Sequence, residues 1–143
     1  MEITEIPFNR FVGLVRAEQA GRVLTLPENP QYANHLGTIH ASALLTLAEA
    51  SSGEYMIREF AELDAAGVLP VVRRVEAKFR KPGRGAVSSE VTVAAAKKAE
   101  FIATLHSRGR ALLEVQVDVY DATETHLLTA TIEWFVARQS AQT

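Results

Sequence analysis

The chain of 143 residues contains no cysteine, which excludes a disulfide framework, a thiol nucleophile and any metal site built on thiolates. It also lacks an excess of either charge. Net charge is -2, and the basic residues are spread among acidic ones rather than gathered in a run, so the electrostatic footprint of a nucleic-acid binder is missing. No apolar run approaches the roughly 20 residues that span a bilayer. The first five residues, Met1-Glu2-Ile3-Thr4-Glu5, carry acids where a secretory leader carries positive charge. No repeat, linker or low-complexity segment interrupts the chain. These absences predict a soluble, cytoplasmic protein that binds neither nucleic acid nor membrane.

What is present is apolar content, 48% hydrophobic against 22% charged, enough to bury a core as one domain over residues 1–143. Residues 11–16 and 22–26 are short apolar runs joined by Glu18-Gln19-Ala20-Gly21, the pattern of a hairpin that Pro27 and Pro30 terminate. Residues 39–60 form a long helical stretch, apolar on nearly every side of its first half, so it runs through the middle of the molecule. Residues 70–82 alternate, with Val71, Val75, Ala77 and Phe79 on one face and Arg74, Glu76, Lys78 and Arg80 on the other. A strand over 87–93 follows. Residues 97–107 read as a short helix with Phe101, Ile102 and Leu105 inward and Gly109 near its C-cap. Two more alternating strands, 113–119 and 128–136, flank a reversal at 121–126. The expected class is α+β, an antiparallel sheet curled around one long helix.

Between Ala41 and Gly53 the only ionisable residue is Glu49. At about 100° per residue it shares its side of the helix with Ser42, Leu45, Thr46, Ser52, Gly53, Met56 and Phe60. A carboxylate thus occupies a position where the pattern calls for an apolar residue. Burying it ionised and unpaired costs on the order of several kcal/mol, so it is paired, kept protonated or set beside a cleft. An ion pair at a subunit contact satisfies the pattern as well as a catalytic role does. Just upstream, Asn34, His35 and His40 lead into the helix start, where the N–H groups of Ala41 and Ser42 lack helical partners. Such a convergence suits an oxygen that becomes negative. Ser52, one turn beyond Glu49, is a candidate for orienting an attacking water. The four histidines show no ligand spacing, and neither a metal nor a cofactor is expected.

Asn34, Gly37, His40, Leu47 and Glu49 match, in identity and spacing, the signature Asn-x-x-Gly-x-x-His-Gly-Gly followed by Leu-x-Asp or Leu-x-Glu. Phe79-Arg80-Lys81-Pro82-Gly83 is similar to the aromatic-Arg-x-Pro strand end found with it. On these motifs the chain resembles the hot-dog-fold thioesterase superfamily, including acyl-CoA thioesterases of the phenylacetate-pathway type. Two features depart from that pattern. The Gly-Gly pair is Ala41-Ser42, and the run from His35 through Gly37, Thr38, Ala41, Ala43 and Leu44 to Ala48-Glu49 looks closer to a DUF4442-like subset of the superfamily.

The resemblance implies hydrolysis of an acyl-CoA thioester. The amides of Ala41 and Ser42 would polarise the carbonyl, His40 and Asn34 would assist at the oxyanion or position substrate, and Glu49 would activate water or attack directly. Gly37, of the same turn, is with Ser42 and Ser52 an implied substrate contact. Arg80, Lys81 and Arg84 are the implied contacts for coenzyme A phosphates. The family's site lies between subunits, which implies a homodimer or a dimer of dimers. Alternatives are a non-catalytic acyl-CoA or acyl-chain binding module, and a purely structural oligomer whose cleft beside Glu49 is filled by Met56 or Tyr55.

Overall fold

A computed structural model describes residues 1–61 and 68–138. After a turn of 3-10 helix at Ile3–Glu5, helix α1 spans Pro7–Val12. Strands β1 (Val15–Arg16) and β2 (Leu24–Leu26) follow, then the central helix α2 (Ala41–Glu59). Beyond it come β3 (Leu69–Phe79), β4 (Val87–Thr92), helix α3 (Ala95–Arg108), β5 (Arg110–Asp121) and β6 (His126–Ala137). The six strands form one antiparallel sheet in the order β1-β2-β4-β5-β6-β3. The sheet curls around α2, which is the α+β hot-dog arrangement.

The core lies between α2 and the concave face of the sheet. Leu44, Leu47, Ala48 and Ala50 of the helix are buried, as are the inward alternates Val115, Val117, Val119, Leu128, Ala130 and Ile132 of β5 and β6. Each such leucine, isoleucine or valine contributes about 1.5–3 kcal/mol on full burial, and each alanine on the order of 0.8 kcal/mol. Two serines that share this core are satisfied. The hydroxyls of Ser51 and Ser89 lie 2.7 Å apart, with the Leu47 carbonyl and the Leu24 backbone completing their hydrogen bonds.

Three expectations are corrected. Residues 11–16 are not one strand: Phe11 and Val12 close α1, Gly13 terminates it in the left-handed region at φ 90°, and only Val15–Arg16 pairs with β2. Pro7 at the first helical position and a terminal glycine are the local signals for this short helix. Gly21, at φ 80°, makes the expected turn. Next, Ile102 faces outward at 38% exposure, because Phe101 and Leu105, four residues apart, define the buried side of α3. Finally, Val71 does not share a face with Val75, Ala77 and Phe79. A bulge between Val72 and Arg74 shifts the register, so Val72 pairs with Trp134 while Val71 pairs with the outward Phe135.

The bulge leaves Val75, Ala77 and Phe79 paired with Ile132, Ala130 and Leu128, hence on the concave side. Yet Val75 and Phe79 stay exposed, because β3 is the edge strand and the chain's own helix does not cover it.

Candidate functional site

Glu49 projects from the middle of α2 into a cleft of about 430 Å³. The residues below it on the same helical stripe, Gly53, Met56, Ile57 and Phe60, form one wall. Trp134 of β6 and the N-terminal residues Ile3, Ile6, Phe8 and Asn9 close the others. Among the described residues no hydrogen bond or ion pair holds the Glu49 carboxylate. Burial raises its pKa above the ordinary carboxylate value, which is the direction desolvation imposes on an anion.

The helix start presents a different set of groups. His40 is the N-cap, and its Nδ1 accepts the Ser42 N–H at 3.0 Å. That bond leaves the ring hydrogen on Nε2. The N–H groups of Ala43 and Leu44 turn back to the His40 carbonyl. Among the described residues the Ala41 N–H has no acceptor, so of the two expected amide donors Ala41 is free and Ser42 is spent on the cap. Both residues are exposed.

Asn34 shapes the turn that delivers the chain to this point. Its Oδ1 accepts the N–H groups of Leu36 and Thr38, its Nδ2 donates to Thr38 Oγ1, and its own N–H donates to the Thr38 carbonyl. Gly37 sits in the left-handed region at φ 71°, where glycine is unstrained. The segment after β3 runs alongside: the Ile39 N–H donates to the Gly83 carbonyl, and Arg84 Nη1 donates to the Gly37 carbonyl at 2.6 Å. Arg80, Lys81 and Arg84 are exposed beside this turn, with Arg80 Nε on Thr129 Oγ1 at 2.9 Å.

The structure therefore gathers the predicted residues into two groups. Asn34, Gly37, His40, Ala41, Ser42 and Arg84 meet at the start of α2, with Arg80 and Lys81 on the adjoining segment. Glu49 stands apart, since nine residues of helix advance about 13 Å. Ser52 joins neither group: it is fully buried, donates to the Glu49 carbonyl at 2.7 Å and accepts the indole N–H of Trp134 at 2.9 Å. Met56 lines the cleft without filling it.

One buried group was not anticipated. Glu54 is 2% exposed, with Oε1 held by Arg16 at 2.7 Å and Arg58 at 3.1 Å. Arg16 also reaches Glu2 at 2.6 Å, and the two carboxylates, Glu54 foremost, raise its pKa further. The Glu54–Arg58 spacing of four residues was the available sequence signal. Among the described residues no group of three or more His, Asp or Glu side chains is placed to hold a metal, and no helix is long and apolar enough to cross a membrane.

Residues 9–136 match the family described as Domain of unknown function (DUF4442). No curated protein is significantly similar in sequence. Among solved structures, PA5026 from Pseudomonas aeruginosa, a protein of unknown function named a probable thioesterase, superposes with a TM-score of 0.79 at 27% identity, over 96% of this chain and 91% of that one. BH2602 from Bacillus halodurans, solved with CoA, gives 0.67 at 17% identity over 90% and 74%. The thioesterase SAV0944 from Staphylococcus aureus gives 0.68 at 11% identity over 92% and 98%.

Proposed function

Because the chain belongs to the DUF4442 family and has the hot-dog fold, we propose that it hydrolyses an acyl-CoA thioester at a site shared by two copies of the chain. The observation that carries this reading is Glu49, a partly buried carboxylate without a partner among the described residues, raised in pKa and open to an apolar cleft. A base of raised pKa accepts a proton more readily near neutral pH than an exposed glutamate does.

In the reaction Glu49 takes a proton from water as the oxygen attacks the thioester carbonyl carbon, or attacks that carbon itself. Negative charge gathers on the carbonyl oxygen, the C–S bond then breaks, and the proton that Glu49 took from water passes to the departing sulfur to give the CoA thiol and the free acid. On the direct route the acyl anhydride formed on Glu49 is cleaved by a water, which restores the carboxylate and supplies that proton. The charge needs donors, and the free Ala41 N–H at the positive end of α2, with His40 Nε2–H beside it, supplies them. Ser42 contributes through the His40 cap rather than directly.

Ala41 and Glu49 of one copy are too far apart to reach one carbonyl. A second copy, antiparallel to the first, brings its helix start to this Glu49. The unpaired edge of β3 and the uncovered Val75 and Phe79 offer the contact. Arg80, Lys81 and Arg84, exposed beside the helix start, face the side from which CoA phosphates approach. PA5026 is named a probable thioesterase, SAV0944 a thioesterase, and BH2602 was solved with CoA, which supports the same substrate class here.

A second reading has its own support. Ala41 carries a methyl group where the resemblance expects glycine, and the Ser42 amide is occupied, as in a module that binds acyl-CoA without cleaving it. Thiol release from a panel of acyl-CoAs by wild type, Glu49→Gln and Glu49→Ala, with CoA binding and solution mass measured in parallel, separates the two. Hydrolysis requires a dimer or larger and a loss of about 10²–10⁴-fold in both variants. Binding without turnover on any thioester leaves the module.

A further inference from the structure

The cleft beside Glu49 is enclosed largely by the N-terminal segment, and its chemistry is uneven. Besides Glu49, the polar groups among its described lining residues are both spent inside the protein: Asn9 Nδ2 donates to the Ile3 carbonyl at 2.9 Å, and the Trp134 indole donates to Ser52. The other side chains among its described lining residues, Ile3, Ile6 and Phe8 on one wall and Met56, Ile57 and Phe60 on the other among them, are apolar.

The N-terminal wall is anchored. Ile3 sits so close to the helix that a Cβ at Gly53 would lie 3.3 Å from Ile3 Cδ1. The Asn9–Ile3 bond ties α1 to the preceding turn, and Arg16 bridges Glu2 to buried Glu54 of α2. Ile6 and Phe8 are thereby fixed across from Ile57 and Phe60 as walls of one cleft.

Its length follows from the helix. Phe60 lies eleven residues beyond Glu49, or about 16 Å along the axis, and an extended chain advances about 1.2 Å per bond. Resting on the thioesterase reading for the position of the carbonyl, we infer that this cleft is the acyl seat. It takes an unbranched, unfunctionalised chain of about eight to twelve carbons, within the roughly 13 bonds that about 16 Å accommodates. The volume of about 430 Å³ lies within the range of small-molecule sites, about 300–1,000 Å³. A hydroxyl on the acyl group loses its water against walls of mostly apolar side chains, which discriminates against hydroxylated aryl acyl groups.

The test pairs binding with turnover. Calorimetry measures the non-hydrolysable thioethers S-methyl-CoA and S-decyl-CoA, and thiol release is followed from acetyl-, decanoyl- and 4-hydroxyphenylacetyl-CoA. The proteins are wild type, Ile57→Trp on the helix wall and Ile6→Trp on the N-terminal wall, so that one serves if the other fails to fold. If both lose the wild-type melting transition, Phe8→Ala, at the exposed lip, replaces them with a smaller loss of the same preference.

Wild type binds S-decyl-CoA at least about 100-fold more tightly than S-methyl-CoA, a fraction of what the added methylenes yield on full burial. The tryptophan variants cut that ratio about tenfold through weaker binding of S-decyl-CoA. Equal affinities, an unaltered ratio in the folded variants, or 4-hydroxyphenylacetyl-CoA cleaved as efficiently as decanoyl-CoA overturns the seat. Turnover without chain-length preference removes the seat and spares the thioesterase. A decyl preference without turnover does the reverse.

Discussion

Replacing Glu49 with glutamine tests whether its carboxylate is held at a cost to the fold. The side chain is partly buried, and burial alone raises its pKa, so the ionised form is less stable in the folded chain than in the unfolded one. A partnerless charge costs more to bury than the partnerless neutral amide that would replace it, and because Glu49 keeps some solvent contact this excess is small, about 1–1.5 kcal/mol. Glutamine keeps the shape and removes the charge, so Glu49→Gln melts higher than wild type. For a domain of this size the rise is about 3–6 °C.

The sign of the pH dependence follows from linkage. A carboxyl with a raised folded pKa binds more protons in the folded state, so its penalty is absent below the unfolded value and grows as pH rises through the folded value. The gap between variant and wild type therefore vanishes in acid and opens toward neutral pH. Differential scanning calorimetry on both proteins from pH 4 to 8 reads it, and the other titrating groups cancel in the difference. A variant that melts lower than wild type at pH 7, or a gap independent of pH, means that the carboxylate has a stabilising partner and the argument is wrong.

Glu54 behaves oppositely. Glu54→Gln discards charge-assisted bonds to Arg16 and Arg58, and because both arginines remain open to water the loss is about 2 kcal/mol rather than that of a sealed pair; a urea midpoint equal to wild type would show the bridges contribute nothing. At Gly83, which is buried, an added Cβ would lie 2.2 Å from Leu127 Cδ1. Gly83→Ala therefore costs about 1–3 kcal/mol and disturbs the helix start through the Ile39–Gly83 bond, an effect that thermal melting would miss only if Leu127 can move freely.

How far the sequence reveals this molecule depends on the length over which each signal repeats. The alternation of β5 and β6 and the all-round apolar surface of α2 extend over ten residues or more, and there the pattern specifies both element and face. Shorter segments are decided by contacts that the pattern does not contain. The run from Phe8 to Val12 folds as helix rather than strand because Pro7 and Gly13 bound it and Asn9 is buried on the Ile3 carbonyl. Val71 turns outward because of a bulge that no periodicity encodes. Ser52 shares a helical side with Glu49, yet Trp134, 82 residues away in sequence, takes its hydroxyl.

The two carboxylates of α2 make the remaining point. Five residues apart on one helix, they receive opposite treatment. Glu54 is more deeply buried and is met by two arginines on one of its oxygens, while Ser51 and Ser52 of the same helix and the indole of Trp134 each find a hydrogen-bond partner. A fold that brings arginines to Glu54 has the means to pair Glu49, and the described residues leave it open to an apolar cleft beside the helix. Stability alone favours a leucine at that position, as it does at Leu44 and Leu47. The carboxylate is explained by what enters the cleft, which is why turnover and melting temperature are expected to move in opposite directions when it is removed.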